Sequence, residues 1–169
     1  KLYRNAGGTF EDRTVAAGLE HRRGWYNSIA GRDIDNDGDI DYVVANFGLN
    51  TKYDASVEEP AELYYGDFAG TGKMTLVEAS KSETLGCLLP VRGFSCSQHA
   101  NPFVADKLQT FHNFASATLS DIYTKASLSK AHRFSANSLE SGVLINDGSG
   151  KFSFIALPRL AQVSPGFGI

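Results

Sequence analysis

Between residues 33 and 41 the chain reads Asp33-Ile34-Asp35-Asn36-Asp37-Gly38-Asp39-Ile40-Asp41, with a carboxylate on every other residue and one glycine near the middle. Five like charges packed into nine residues repel one another, and at neutral pH all five are ionised. A hard divalent cation removes that conflict. Calcium accepts six to eight oxygen ligands and tolerates irregular geometry. Asp33, Asp35, Asp37 and Asp41 are placed to offer side-chain oxygens, while Asp39 stands where such loops offer a backbone carbonyl. Gly38 permits the sharp reversal that folds the loop around an ion.

An EF-hand opens with the same D-x-D-x-D-G pattern but closes on a glutamate at its twelfth position. Counted from Asp33, that position is Val44, inside the apolar run Tyr42-Val43-Val44-Ala45. Such a run reads as a strand. The loop therefore closes early, at Asp41, and leads into a strand rather than a helix. Without a metal, the same stretch would be a solvated acidic turn.

The surrounding sequence repeats this design. Aligning Asp67 with Asp33, at a spacing of 34 residues, sets Gly72 on Gly38 and Leu76-Val77-Glu78-Ala79 on Tyr42-Val43-Val44-Ala45. Periods of this length point to solenoids or propellers. The second loop has exchanged its carboxylates for Ala69, Thr71 and Thr75, so Asp67 alone is not expected to hold calcium. A second correspondence sets Leu144 through Phe152 on Leu2 through Phe10 without gaps, each read as a hairpin. Asp147-Gly148 is read there as a tight turn.

These signals divide the 169 residues into segments. Residues 1–19 hold the hairpin of a first blade, 24–47 the calcium-loop repeat and 62–80 a degenerate repeat. Residues 87–141 form a mainly helical insert, 142–157 a hairpin and 158–169 the start of a next repeat. The insert shows helical spacing at Phe103, Leu108 and Phe111, and Thr118-x-x-Asp121 is a capping-box variant. Its aromatics, Phe103, Phe111, Phe114 and Tyr123, are expected to pack it onto the sheet. Trp25 is expected to plug a core. The absence of an initial Met and of a signal peptide suggests a removed upstream segment, and both ends read as cut through a repeat.

Composition narrows the function. The net charge is −3, the basic residues are scattered and no apolar run nears the ~20 residues of a membrane span, so neither nucleic acid nor membrane insertion is expected. Cys87 and Cys96 leave open a local disulfide or two thiols. The histidines (His21, His99, His112, His132) are dispersed, and no G-x-S-x-G motif is present.

With Gly31 to Asn46, the strand pair Leu2-Tyr3-Arg4-Asn5 and Gly8-Thr9-Phe10 in view, the sequence resembles the FG-GAP/VCBS repeat proteins. Gly48 to Tyr53, Pro90 to Gly93 and Ala115 to Tyr123 are similar to bacterial members of the ASPIC/UnbV-type subgroup. That resemblance implies a mainly β fold, a partial integrin-α-like β-propeller of about two to three blades with a helical insert. It places Asp33, Asp35, Asp37, Asp39 and Asp41 on calcium positions. It implies a non-catalytic, calcium-stabilised module of a secreted, periplasmic or cell-surface binding or adhesion-type protein. Its partner would be a protein or glycan. A ring needs about four to eight blades, so further blades of the parent chain or self-association are expected to cover the open edges. Two alternatives remain at this point: part of a secreted hydrolase acting on polysaccharide or phosphoester, and a recognition module that uses the helical insert.

Overall fold

The computed structural model describes residues 1–169 and resolves two compact units, one built from 1–58 with 136–169 and the other from 59–135. In chain order the first unit begins with β1 (Tyr3–Asn5), β2 (Phe10–Asp12), β3 (Ser28–Arg32) and β4 (Asp41–Ala45). The chain continues with β5 (Ala61–Gly66), β6 (Thr75–Lys81) and β7 (Leu88–Pro90). Five short helices follow: α1 (Phe94–Ala100), α2 (Phe103–Leu108), α3 (Phe111–Ala115), α4 (Leu119–Tyr123) and α5 (Lys125–Lys130). Then come β8 (His132–Ala136), β9 (Gly142–Asn146), β10 (Phe152–Ala156) and a closing 3-10 turn, Arg159–Gln162. The fold is mainly β, with two four-stranded sheets in the orders β10-β9-β4-β3 and β7-β6-β5-β8 and a separate β1–β2 hairpin. No helix is long and apolar enough to cross a membrane.

The 34-residue repeat is visible in the backbone. Ser28 pairs with Ala45 and Arg32 with Asp41; shifted by 34, these become Glu62 with Ala79 and Gly66 with Thr75, which are the pairs of β5 and β6. The turns repeat as well. Asn36 and Gly38 have φ of 65° and 96°, and their counterparts Gly70 and Gly72 have 70° and 83°. A left-handed residue two before the loop glycine is thus part of the design, and it costs least at Asn or Gly.

The two hairpins are related less simply than a gap-free alignment suggests. That alignment sets Asn146 on Arg4, but Phe152 pairs with Asn146 while Phe10 pairs with Asn5. The first turn has lost one residue, so Asn5 corresponds to Asn146 and Tyr3 to Leu144. Both asparagines use the side-chain oxygen alike, accepting the N–H of Gly8 (3.0 Å) and of Gly148 (3.3 Å).

In the first unit β4 is covered by β3 and β9, and Val44 and Ala45 are buried. Asn46, directly after β4, is fully buried. Its Oδ1 accepts the N–H groups of Trp25 and Phe47, and its Nδ2 donates to the carbonyls of Ser138 and Glu140. Trp25 stands edge-on to Phe47 and Tyr53, with centroids 5.2 and 4.8 Å away. Residues 164–169, within the segment read as the start of a next repeat, form no strand.

In the second unit the helices and the sheet share one core. Tyr64, Phe68, Val77 and Ala79 pack with Phe94, Val104, Phe114, Leu119, Ile122 and Tyr123. The expected capping box forms at α4: the Thr118 side chain accepts the Asp121 N–H, and the Asp121 carboxylate accepts the Thr118 N–H. The helical run from Pro102 to Phe111 is broken at Gln109, whose φ is 64°. That break turns Phe111 outward to 66% exposure, so it does not pack on the sheet as expected, although its ring still meets Phe94 edge-on at 5.1 Å.

Candidate metal centre

The acidic loop joins β3 to β4 and is built largely by its own carboxylates. Asp33 Oδ2 accepts the Gly38 N–H at 3.1 Å, Asp35 Oδ1 the Asp37 N–H at 3.3 Å and Asp37 Oδ1 the Asp39 N–H at 2.9 Å. Each bond folds the chain back on itself, and the left-handed Gly38 lets it turn. One oxygen from each of Asp33, Asp35 and Asp37 then lies within 4.8 Å of the others. Asp33 is half-buried, and Asp35 and Asp37 are exposed. Asp33 Oδ1 is buried and has no hydrogen-bond partner.

The local field records the crowding. Desolvation holds the Asp35 carboxyl above the usual carboxylate range, and the negative charges of Asp37, Asp41 and Asp33 add to the rise. The other two aspartates stand outside the group of three. Asp41 is fully buried, and its two oxygens accept the N–H groups of Asn146 and Ile34, each at 2.8 Å. Those amides, Asn146 first, hold its carboxyl below the usual range. Asp41 thereby ties the loop to β9 while its charge still reaches Asp35. Asp39 turns to the β9–β10 turn: its Oδ2 lies 2.8 Å from where a Cβ on Gly148 would stand, and Gly148 itself has φ of 77°.

The degenerate loop keeps the geometry without the charge. Asp67 accepts the N–H groups of Gly72 (2.7 Å) and Thr71 (3.1 Å), the first repeating the bond from Gly38 to Asp33. These amides, Gly72 first, hold Asp67 below the usual carboxylate range. One carboxylate is satisfied by backbone donors, and the loop stands without a second anion to neutralise.

Elsewhere the four histidines are all exposed and join no metal-capable group. Cys87 and Cys96 are both free thiols, the first half-buried and the second exposed. A buried charge cluster that the sequence did not single out lies in β5 and β8. The Glu62 side chain, 5% exposed, is held by the Arg133 Nε at 2.9 Å, by the Arg133 Nη2 and by the Tyr64 hydroxyl. Burial first, then the hydrogen bond and charge of Glu62, push the Tyr64 hydroxyl up to about 12. The cation arrives from 71 residues away, and spacing alone cannot announce that.

Comparison of the chain with protein-family models, with curated proteins and with solved structures returns no match.

Proposed function

We propose that this chain is a calcium-binding, non-catalytic repeat module of the FG-GAP/VCBS type, in which the ion stabilises one turn of a partial β-propeller and the assembled surface binds a protein or glycan outside the cell. The observation that carries the reading is Asp33 Oδ1, a buried carboxylate oxygen with no partner at the convergence of three acidic side chains. A buried acceptor left unmade costs about 1–3 kcal/mol, more when charged. The donor set is all oxygen, which suits a hard cation and not zinc. A calcium ion bound there would supply the positive charge that the loop lacks, held by Asp33, Asp35 and Asp37. Asp41 anchors the loop to β9, and Asp39 faces Gly148. The matched register of the two loop hairpins supports the repeat, and the strand that follows the loop argues against an EF-hand.

Thermal unfolding with calcium and with chelator tests the reading. Saturating calcium is expected to raise the melting temperature by about 5–10 °C, the size expected for a ligand at a hundredfold excess over Kd acting on a domain of this length. The double variant Asp35→Asn with Asp37→Asn should melt alike in both buffers. Identical curves for the wild-type chain would reject a calcium site.

A further inference from the structure

One face of the first unit's four-stranded sheet carries Phe154, Leu144, Tyr42, Val44 and Ile29. Phe154 pairs with Leu144, Leu144 with Tyr42, and Val44 with Ile29, and directly paired residues share a face. Tyr42 and Val44, two apart on β4, share it too. A cleft of about 450 Å³ lies on this face. Ile29, Val44 and Leu144 border it from the sheet, and Leu2, Leu19 and Arg22 border it from outside the sheet. The space is unfilled, so that Ile29 is left 62% exposed. Its volume falls within the range of small-molecule sites, about 300–1,000 Å³.

Arg22 is the charged group built into this cleft. Its guanidinium carbon lies 3.4 Å from the centroid of the Phe154 ring, and its Nη1 donates to the Ser138 hydroxyl at 2.9 Å. The ring in turn needs Gly142, because a Cβ there would stand 2.2 Å from it. Glycine, ring and guanidinium thus form one stack, which fixes a side chain that otherwise samples many rotamers. The ion pairs of the chain leave Arg22 without a carboxylate. The other cation of the cleft, Lys1, is held by Asp12 at 2.7 Å. No Asp or Glu lines the cleft.

An apolar slot bordered by a fixed, uncompensated guanidinium suits an apolar body that carries one carboxylate. The planar fork of an arginine matches a carboxylate with two parallel hydrogen bonds. A phosphate carries about −1.5 to −2 charges at neutral pH, more than one cation offsets. An amine would find no acid in the lining.

We propose that this cleft binds a small amphipathic carboxylic acid, with its carboxylate on Arg22 and its apolar body against Ile29, Val44 and Leu144. The guanidinium is ordered before the ligand arrives, which spares the complex part of the cost of binding. The site is separate from the acidic loop and does not rest on the calcium reading.

Octanoate, octanamide and octylamine share a tail and differ in the head group. Each is titrated into the whole chain in chelating buffer, with the methyl resonances of Ile29, Val44 and Leu144 followed by NMR. Octanoate is expected to shift them saturably and to bind about tenfold more tightly than octanamide, with octylamine weaker still. Arg22→Gln should erase the preference for octanoate and leave octanamide binding as it was, whereas a merely structural role for Arg22 would weaken both alike. Ile29→Trp, at an exposed position, should block the cleft and abolish binding of both. If Arg22→Gln fails to fold, the head-group series on the unaltered chain still decides. Equal affinity for octanoate and octanamide overturns the proposal, since apolar partition alone would then account for binding. So does the absence of saturable shifts at the three residues. Shifts that grow with chain concentration in the absence of ligand overturn it as well, because a second copy would then fill the cleft. With chelator present throughout, failure of the calcium site leaves this result untouched.

Discussion

Asn46 shows how much of a fold one side chain can hold. Its amide joins the backbone at Trp25 and Phe47 to that at Ser138 and Glu140, segments about 90 residues apart. Asn46→Ala would strand two buried donors and two buried acceptors. It is expected to destabilise the first unit by about 3 kcal/mol or more, read as a shift in the urea midpoint. Asn46 closed the stretch singled out in the sequence, but nothing in its spacing marked it as buried; a polar residue ending an apolar strand is ordinarily a surface residue. A second prediction concerns pH. The Tyr64 hydroxyl titrates at about 12 in the folded chain against 10.0 for a free tyrosine. Its neutral form therefore contributes stability that is fully present below pH 10 and is lost as pH rises towards 12. Urea midpoints should hold up to about pH 10 and then fall, and Tyr64→Phe should flatten that fall.

Among the elements, the turns were more legible than the strands' partners. The 34-residue spacing foretold two hairpins of one register, because the loop glycines and the apolar runs are both local features. The capping box at α4 was legible for the same reason. The missing residue in the β1–β2 turn was not, because a gap-free match of nine residues conceals a slip that only pairing exposes. Nor did the sequence show that Asp41 answers to an amide of β9, a contact 105 residues away. Two tests follow at this scale. Thr118→Ala removes the oxygen that caps α4 and should cost about 1 kcal/mol by chemical denaturation. On the proposed calcium reading, restoring carboxylates to the degenerate loop with Ala69→Asp and Thr71→Asp, while leaving Thr75 on its bond to Asn101, is expected to add one calcium per chain by titration calorimetry.

For the molecule as a whole, the mainly β character was readable from the repeated loop-and-strand design and from the family resemblance, whereas the boundary between the units was not. The helical stretch read as an insert shares its core with β5 and β6, through Tyr64, Val77 and Ala79. Deleting residues 98–130 removes Val104, Phe114, Leu119, Ile122 and Tyr123 from that core. The deletion is expected to unfold the second unit, seen as binding of a hydrophobic dye and loss of the cooperative melt. A folded deletion variant would show instead that the helices are a separable appendage.

Pairing of β4 with β9 joins Tyr42 to Leu144, across a stretch of chain that contains the whole second unit. Contacts so distant in sequence are slow to form, because a long loop must close first. Ordering of residues 59–135 shortens the effective loop, so this unit is expected to fold earlier and the four-stranded sheet to be sealed last. On a ribosome, β3 and β4 would emerge early and wait, with an apolar edge open, until residue 144 is made. Refolding followed by pulsed exchange should therefore protect Val77 well before Val43. In that interval the like charges of the acidic loop would oppose edge-to-edge pairing between waiting strands of neighbouring chains.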